Sequence, residues 1–544
     1  MPPVLPDPYD PSVRSKKLTG LALTTLLACG GPAFAETAPP PPKPTTSPAT
    51  QPATQPATQP AAQPATRPAA DPAAAEPDFE QAAEAAQEGI ADTAVTGGGK
   101  LFPEATPERV TDVTNTVFPA VVRLDVAQEV YQNGKRTLQR GIGSGTIFSP
   151  EGYILTNYHV AGRAAEIKIT LANKERVNAR LIGDDHWTDL AVVQLDMDEI
   201  QRRGIDFQYA QLGQSNDLVP GQDVVAIGTP FGLARTLTIG VVSNIERTFY
   251  PDEQNIDGYE TGNFSNWIQM DTPIAPGNSG GPLVDMNSRV VGVNTRGIPG
   301  QNLNFAVPIS AANRVKDAIL ASVEFGEDGE VLKKGRVTRS DLGMDLKPLQ
   351  DLESFYAIDI DKGVLVNSVD RGSPAAEAGV KPQDILLSLN GEPTNVRFPE
   401  QLAATRRMIT QLPVGEAVEL TVLRDGKEAT LTAEAAKLES RIGEEREMKD
   451  WGLSVRDVTR VYANDRQLND DTGVVVTSTR SGFAADEAGL QRGDVIRTVN
   501  GRDVTDLETF IDLYNETQEA EAEKVLLTLQ RGRGITRALM KLDD

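Results

Sequence analysis

Ser279 lies in "PIAPGNSGGPLVD" (273–285), inside a run of glycines, with Pro276 ahead of it and the strand-like Leu283-Val284 behind. A serine hydroxyl is a poor nucleophile at neutral pH until a neighbouring base takes its proton. His159 and His186 are the only imidazoles in the chain. His159 closes "GYILTNYHV", an alternating strand that would carry it to a strand end. His186 stands in "GDDHWTDLAVV", a polar turn that reads as surface. The base in turn needs an acid to fix its tautomer, and Asp184, Asp185 and Asp189 compete for that role. Asp189 directly precedes the apolar "LAVVQL" and so sits at a strand start, whereas Asp184 and Asp185 read as solvated turn residues. His159, Asp189 and Ser279 are therefore the expected base, acid and nucleophile of an acyl transfer. The glycines would let the chain bend until the N–H groups of Gly277 and Ser279, with Asn278 between them, face one oxyanion. Loss of one such donor typically lowers a rate by about 10²–10³.

The elements that must hold these groups are short and β-rich. Between about 105 and 310 run "AVVRLDV", "GSGTIFS", "YILTNYHV", "EIKITL", "LAVVQL", "DVVAIGTP", "TLTIGVVSNI", "WIQM", "VVGVNT" and "NFAVPI". Many short strands separated by turn residues predict antiparallel barrels or a sandwich. A helix capped by Ser310 should follow, with Val315, Ile319 and Val323 on one face. The C-terminal part repeats itself. "DLGMDL" at 341 is echoed by "DWGLSV" at 450, and "RGSPAAEAGVKPQDILLSLNG" by "RSGFAADEAGLQRGDVIRTVNG", with Gly379 matching Gly489. Two copies of one module of about 100 residues are expected.

The chain of 544 residues is too long for a single core. Its formal net charge of −24 argues against a nucleic-acid partner, which needs clustered Lys and Arg. Arg14, Lys16 and Lys17 precede the apolar run Leu18 to Ala28 and the small-residue site Ala33-Phe34-Ala35, so residues 1–35 read as an export signal. Cys29, the only cysteine, sits in "LLAC", which resembles a lipobox. Cleavage after Ala35 and lipidation at Cys29 both stay open, and either takes the protein out of the cytoplasm. Residues 36–100 hold the Pro, Ala, Thr and Gln repeats, a stretch that cannot bury a core, then a weak helical pattern and "GGGK". With one cysteine and two histidines, no structural zinc site and no metal is expected.

"GSGTIFSPEGYILTNYHV", "TDLAVVQL", "GTPFGLARTLTIGVVSNIER", "APGNSGGPLV", "VVGVNT" and "NFAVPI" resemble the HtrA (Deg) family of bacterial envelope serine proteases, over roughly residues 105–543. The order His, Asp, Ser is that of chymotrypsin-like enzymes. The resemblance implies a mostly β chain: a chymotrypsin-like double β-barrel protease domain (101–326) followed by two α+β PDZ domains (335–438 and 445–543). It implies an ATP-independent endopeptidase without cofactors, acting on unfolded or misfolded polypeptides and their C-terminal segments in the periplasm. It also implies a homo-oligomer, a trimer or a multiple of trimers, with membrane attachment only through a lipidated Cys29. Two other readings are a peptide-binding scaffold that cuts little and a regulatory protease for one membrane target.

The position six residues before the nucleophile, an acid where Lys or Arg is selected, is Pro273 here. An apolar substrate pocket around Pro273, Ile274, Asn304, Phe305 and Ala306 would favour cuts after Val, Ala or Ile. Asp271 is the rival acid, two residues too early. Ala275 stands where the family often has Asn, and "TNYHV" replaces the commoner "TNNHV". By the same resemblance the loop 250–266 senses activating peptides; the alternative is a tolerated surface insertion. The PDZ carboxylate cradles would be Leu342-Gly343-Met344 and Trp451-Gly452-Leu453, each preceded by an aspartate, with Trp451 in place of the usual Leu or Ile.

Overall fold

The structure, a computed structural model, describes residues 102–542 except 230–234, 249–253, 257–258, 262–263, 299, 327–328 and 351–361. The signal, Cys29 and the segment 36–100 lie outside the described residues. Six strands make the first barrel: β1 (Val121–Gln132), β2 (Lys135–Ile147), β3 (Tyr153–Thr156), β4 (Ala164–Thr170), β5 (Arg176–Asp185) and β6 (Leu190–Leu195). They run in the order β5-β4-β1-β2-β3-β6, and β5 also pairs with β6 to close the ring. Leu124, Ile147, Ile154, Ile169 and Val193 fill it. β1 and β2 meet at Asn133-Gly134, both at positive φ, as a two-residue hairpin turn requires. From Ala127 onward β1 is only half-buried, so the outer part of this hairpin leaves the barrel.

The second barrel is built from β7 (Asp223–Gly228), β8 (Thr236–Arg247), β9 (Trp267–Met270), β10 (Pro282–Asp285), β11 (Val290–Ile298) and β12 (Leu303–Pro308). It closes in the order β9-β12-β11-β10-β7-β8. Val224, Ala226, Val242, Ile268, Met270 and Leu283 form its interior. A third cluster joins the barrels, with Leu155 and Val192 of the first against Val225, Ile227, Trp267, Val293 and Phe305 of the second. Burying each such side chain contributes about 1.5–3 kcal/mol.

Helix α1 (Pro107–Val117) starts on a Thr106 cap and buries Val113 and Val117. A one-turn helix, α2 (Tyr158–Ala161), follows β3. Helix α3 (Ile309–Ser322) buries Ile309, Ala312, Val315 and Ile319 at helical spacing. Its expected Ser310 cap is corrected: the N-cap position is Pro308, which has no side-chain acceptor. Ser215 takes over instead, its Oγ accepting from Ser310 N at 3.0 Å and donating to Ser310 Oγ at 2.8 Å. Past α3 the two-residue strand β13 (Gly335–Arg336) pairs in parallel with Gly183-Asp184 of β5. A Cβ on Gly335 would stand 2.1 Å from Ile319 O, so only glycine lets the chain pass there.

Two similar α+β modules follow. The first has β14 (Met344–Lys347), β15 (Val364–Val369), β16 (Ile385–Leu389), β17 (Ala417–Arg424) and β18 (Lys427–Glu434) in that order, with helix α4 (Leu402–Thr410). The second has β19 (Glu445–Met448), β20 (Leu453–Asp457), β21 (Val474–Thr479), β22 (Val495–Val499), β23 (Lys524–Arg531) and β24 (Gly534–Lys541), with helix α5 (Leu507–Glu519). The internal repeat is visible in the chemistry. Arg424 bonds both Asp384 and the Gly379 carbonyl, and Arg531 bonds both Asp494 and the Gly489 carbonyl.

Candidate active site

β3 ends at Thr156, and His159 stands in the one-turn helix α2 rather than at the strand end expected for it. Asp189 ends the turn between β5 and β6, fully buried and at φ +57°. A non-glycine residue in that left-handed conformation is held there by its surroundings. Its carboxylate receives His159 Nδ1–H at 2.9 Å to each oxygen and the His159 backbone N–H at 3.1 Å. Thr295 Oγ1 donates to the second oxygen, and Asn157 Nδ2 donates to the Asp189 carbonyl at 2.9 Å. Burial pushes the Asp189 carboxyl up. The His159 charge and the hydrogen bonds from His159 and Thr295 outweigh it and hold the group below the ordinary carboxylate range. Asp189 thus stays ionised and locks His159 with its proton on Nδ1, leaving Nε2 to act as the acceptor.

The glycines around Ser279 answer to close packing. Gly277 is at φ +103° and Gly280 at +84°. A Cβ on Gly280 would lie 2.1 Å from Ser144 O, and one on Gly281 2.1 Å from Ile227 O. The turn is closed by Asn278 N to Ala275 O at 2.9 Å and held to β2 by Ser144, whose Oγ donates to Gly277 O at 2.6 Å and whose N–H donates to Ser279 O at 2.8 Å. Among the described residues, the N–H groups of Gly277 and Ser279 have no intramolecular acceptor. Asn278 is buried, with its Oδ1 unpartnered in the same set. Ser279 Oγ donates to Thr295 O at 3.0 Å. A hydroxyl has one proton, so in this rotamer that proton is on Thr295 and not on His159. The hydroxyl must turn from Thr295 O before it can be directed at His159.

Two of the expected surface features are corrected. His186 is largely buried, with its ring 4.6 Å from Trp187 and 5.9 Å from Tyr158, and its pKa is pushed down to about 4 by burial. Neutral and enclosed, it is not the base. Asp184 and Asp185 are buried at the end of β5 instead of lying in solvent. Arg336 bonds Asp184 at 2.7 Å, and Arg339 grips Asp185 with two bonds of 2.6 and 2.7 Å. The turn carrying Asp189 is therefore fastened to the segment that leads into the first repeat module.

Of the expected pocket residues, Ile274 and Asn304 come together, Ile274 N donating to Asn304 Oδ1 at 3.2 Å, while Pro273 is exposed. Phe305 and Ala306 are buried in the barrel cores, because β12 is covered on both faces. Asp271 is spent on the backbone, its Oδ1 accepting from Val241 N at 2.7 Å. Within the loop 250–266, Gln254–Ile256 and Tyr259–Thr261 pair as a short hairpin. Sequence reasoning missed Thr295, Ser144 and Arg296. Arg296 is a largely buried cation over the Trp267 ring at 5.3 Å, close enough to feel the Asp189 charge. The run "VNTRG" offered a signal, but only through residues distant in sequence.

A trypsin-like peptidase domain model matches residues 143–293, and PDZ domain models match 340–434 and 475–531. A relative from Chlamydia trachomatis, "Probable periplasmic serine endoprotease DegP-like", is 31% identical over 408 residues, 74% of this chain and 75% of its own length. One with the same name from Pseudomonas fluorescens is 33% identical over 466 residues, 80% and 88% of the two chains. The chain belongs to the HtrA family of DegP-like serine endoproteases. A solved variant of the HtrA-type protease AlgW with a decapeptide superposes with a TM-score of 0.50 at 27% identity, over 60% of this chain and 97% of that one. This HtrA protein is a serine endopeptidase with two PDZ domains.

In the first PDZ domain Gly343 is at φ +70°, and β14 pairs only with β15 among the described residues. Leu342 is buried and Met344 half-buried. In the second, Gly452 is at φ +67°, and Trp451 and Leu453 are buried in the domain core.

Proposed function

We propose that this HtrA protein is an exported, ATP-independent endopeptidase that degrades unfolded or misfolded polypeptides in the periplasm. The protease domain spans 101–326 and the PDZ domains span 335–438 and 445–543. The observation that carries the reading is the buried Asp189 holding His159 by Nδ1, beside a glycine turn in which the N–H groups of Gly277 and Ser279 have no acceptor among the described residues. Ser279 turns from Thr295 O to His159 Nε2, gives up its proton there and attacks the scissile carbonyl carbon. The oxyanion is received by the N–H groups of Gly277 and Ser279, with Asn278 holding the turn. His159 passes the proton to the leaving amine, and an acyl-enzyme remains. Water, deprotonated by His159, then releases the acid and restores Ser279.

A pocket at Ile274 and Asn304, neither of which carries a charge, favours cuts after Val, Ala or Ile. Leu342-Gly343-Met344 receives a C-terminal carboxylate while the peptide strand adds to β14. The relatives' periplasmic naming and the export signal support the location, and the family resemblance of the sequence motifs supports assembly into trimers or multiples of them. The test is cleavage of unfolded casein by the mature protein beside Ser279→Ala, with the products sequenced. Loss of cleavage in the variant, with cuts after small aliphatic residues, is expected. A wild type that fails to cut, even with hydrophobic C-terminal peptides added, would overturn the reading in favour of a peptide-binding scaffold.

A further inference from the structure

The two PDZ domains differ at the edge where a peptide strand would add. In the first, the residues before the cradle, Ser340-Asp341, pair away with Ala436-Lys437, and β14 keeps one partner among the described residues. In the second, the preceding strand β19 folds back on β20, with Met448 opposite Leu453, Glu447 opposite Ser454, Arg446 opposite Val455 and Glu445 opposite Arg456. β20 is then paired on both edges, with β21 on its other side. β19 runs antiparallel to β20 with its C-terminal end at the cradle, which is the polarity a bound C-terminal peptide takes.

The remaining parts of a ligand site are filled as well. Gly452 N, a donor a carboxylate would need, donates to Met448 O at 3.0 Å and Lys449 O at 3.1 Å. Trp451 is fully buried edge-on against Phe510 and Tyr514 of α5, at 5.7 and 5.1 Å, and Met448 is buried in the same core. Tyr514 OH closes the corner on Asp450 Oδ2 at 2.6 Å.

A different partner occupies the neighbouring face. The outer part of the β1–β2 hairpin reaches the second PDZ domain, and Gly134 N donates to Ser478 Oγ at 2.8 Å. Ser478 is itself bonded to Ser454 Oγ at 2.7 Å. A Cβ on Gly134 would stand 2.4 Å from Gly452 O and 2.5 Å from Arg480 N, both backbone atoms that cannot swing aside. The other end of β2 carries Ser144, which holds the turn of Ser279.

We propose that the second PDZ domain is closed to peptides by its own β19 and serves as an internal clamp on the β1–β2 hairpin of the protease domain. Hydrogen exchange on the full Ser279→Ala chain tests this. Without ligand, the amides of 453–457 should be protected throughout, as in a strand paired on both edges, and Arg446→Pro in β19 should speed their exchange at least tenfold. Gly134→Asn keeps the left-handed turn, which asparagine tolerates, but collides with Gly452 O. It should speed exchange at 131–137 while β22 to β24 stay protected.

A ten-residue peptide with a hydrophobic C-terminal residue and free carboxylate should leave 453–457 unchanged. Fast exchange of 453–457 in the parent chain, new protection there with peptide, or an unmoved hairpin tip in Gly134→Asn each overturns the proposal. The parent chain with peptide decides the matter even if Arg446→Pro unfolds the domain. The receptor role of the first domain is read separately, from peptide protection at 342–347.

Discussion

Replacing Thr295 by valine removes one hydroxyl and adds no bulk at a buried position. The lost bond runs to an ionised carboxylate with no solvent exposure, so water cannot replace the donor. A hydrogen bond to a charged group contributes about 1.5–3 kcal/mol, and about 1.4 kcal/mol is tenfold in rate. Asp189 keeps its bonds from His159, so Thr295→Val should lower kcat/KM about 10- to 100-fold. The Thr295 carbonyl, which accepts the Ser279 hydrogen bond, is untouched. Without the donor, the Asp189 carboxyl rises from its depressed position. A depressed carboxylate contributes stability above its ordinary range and loses it as pH falls through the folded value, so acid unfolding should begin at higher pH. The assay is kcat/KM on a peptide substrate across pH, with acid unfolding followed by fluorescence. Thr295→Ser, which restores the donor, should recover activity to within about threefold of wild type. Equal losses in both variants, or none in the valine variant, would refute the reasoning.

His186→Phe should flatten part of the acid sensitivity. With a folded pKa of about 4 against the ordinary 6.5, the unfolded chain binds more protons between those values, so His186 removes stability as pH falls through that window, on the order of 3 kcal/mol in full. Denaturation midpoints at pH 7 and pH 4.5 for both proteins check it. Arg339→Ala leaves Asp185 charged and buried, and breaking such a pair should destabilise the protease domain by about 3–5 kcal/mol. Adding Asp185→Asn should return part of that loss, read as the first thermal transition.

What was legible in the sequence were features whose cause is local or periodic. The alternating runs gave the barrels, the glycines announced a turn with left-handed residues, and the echo of Gly379 in Gly489 gave the repeat. Asp189 could be ranked by the apolar run it precedes and Ser279 by its glycines, whereas His159 was preferred to His186 mainly through the family resemblance. The failures share one cause, a partner far along the chain. Asp184 and Asp185 look like turn residues until Arg336 and Arg339 arrive from beyond α3. His186 looks polar until Tyr158, brought across from α2, covers it beside its sequence neighbour Trp187. Ser310 looks like a cap until Ser215 does the capping. Trp451 marked a difference between the PDZ domains, but not the fold-back of β19 that goes with it.

The resting position of the Ser279 hydroxyl sets a ceiling on one kind of activation. If the bond to Thr295 O is worth about 1 kcal/mol, roughly one molecule in six has the hydroxyl turned toward His159 at any instant. An effector that did no more than release this bond would make the two positions equally populated and raise turnover by about threefold and no further. Activation beyond that factor would have to come from elsewhere, such as the N–H groups of the glycine turn changing place. The size of a measured activation would therefore report which part of the site had moved.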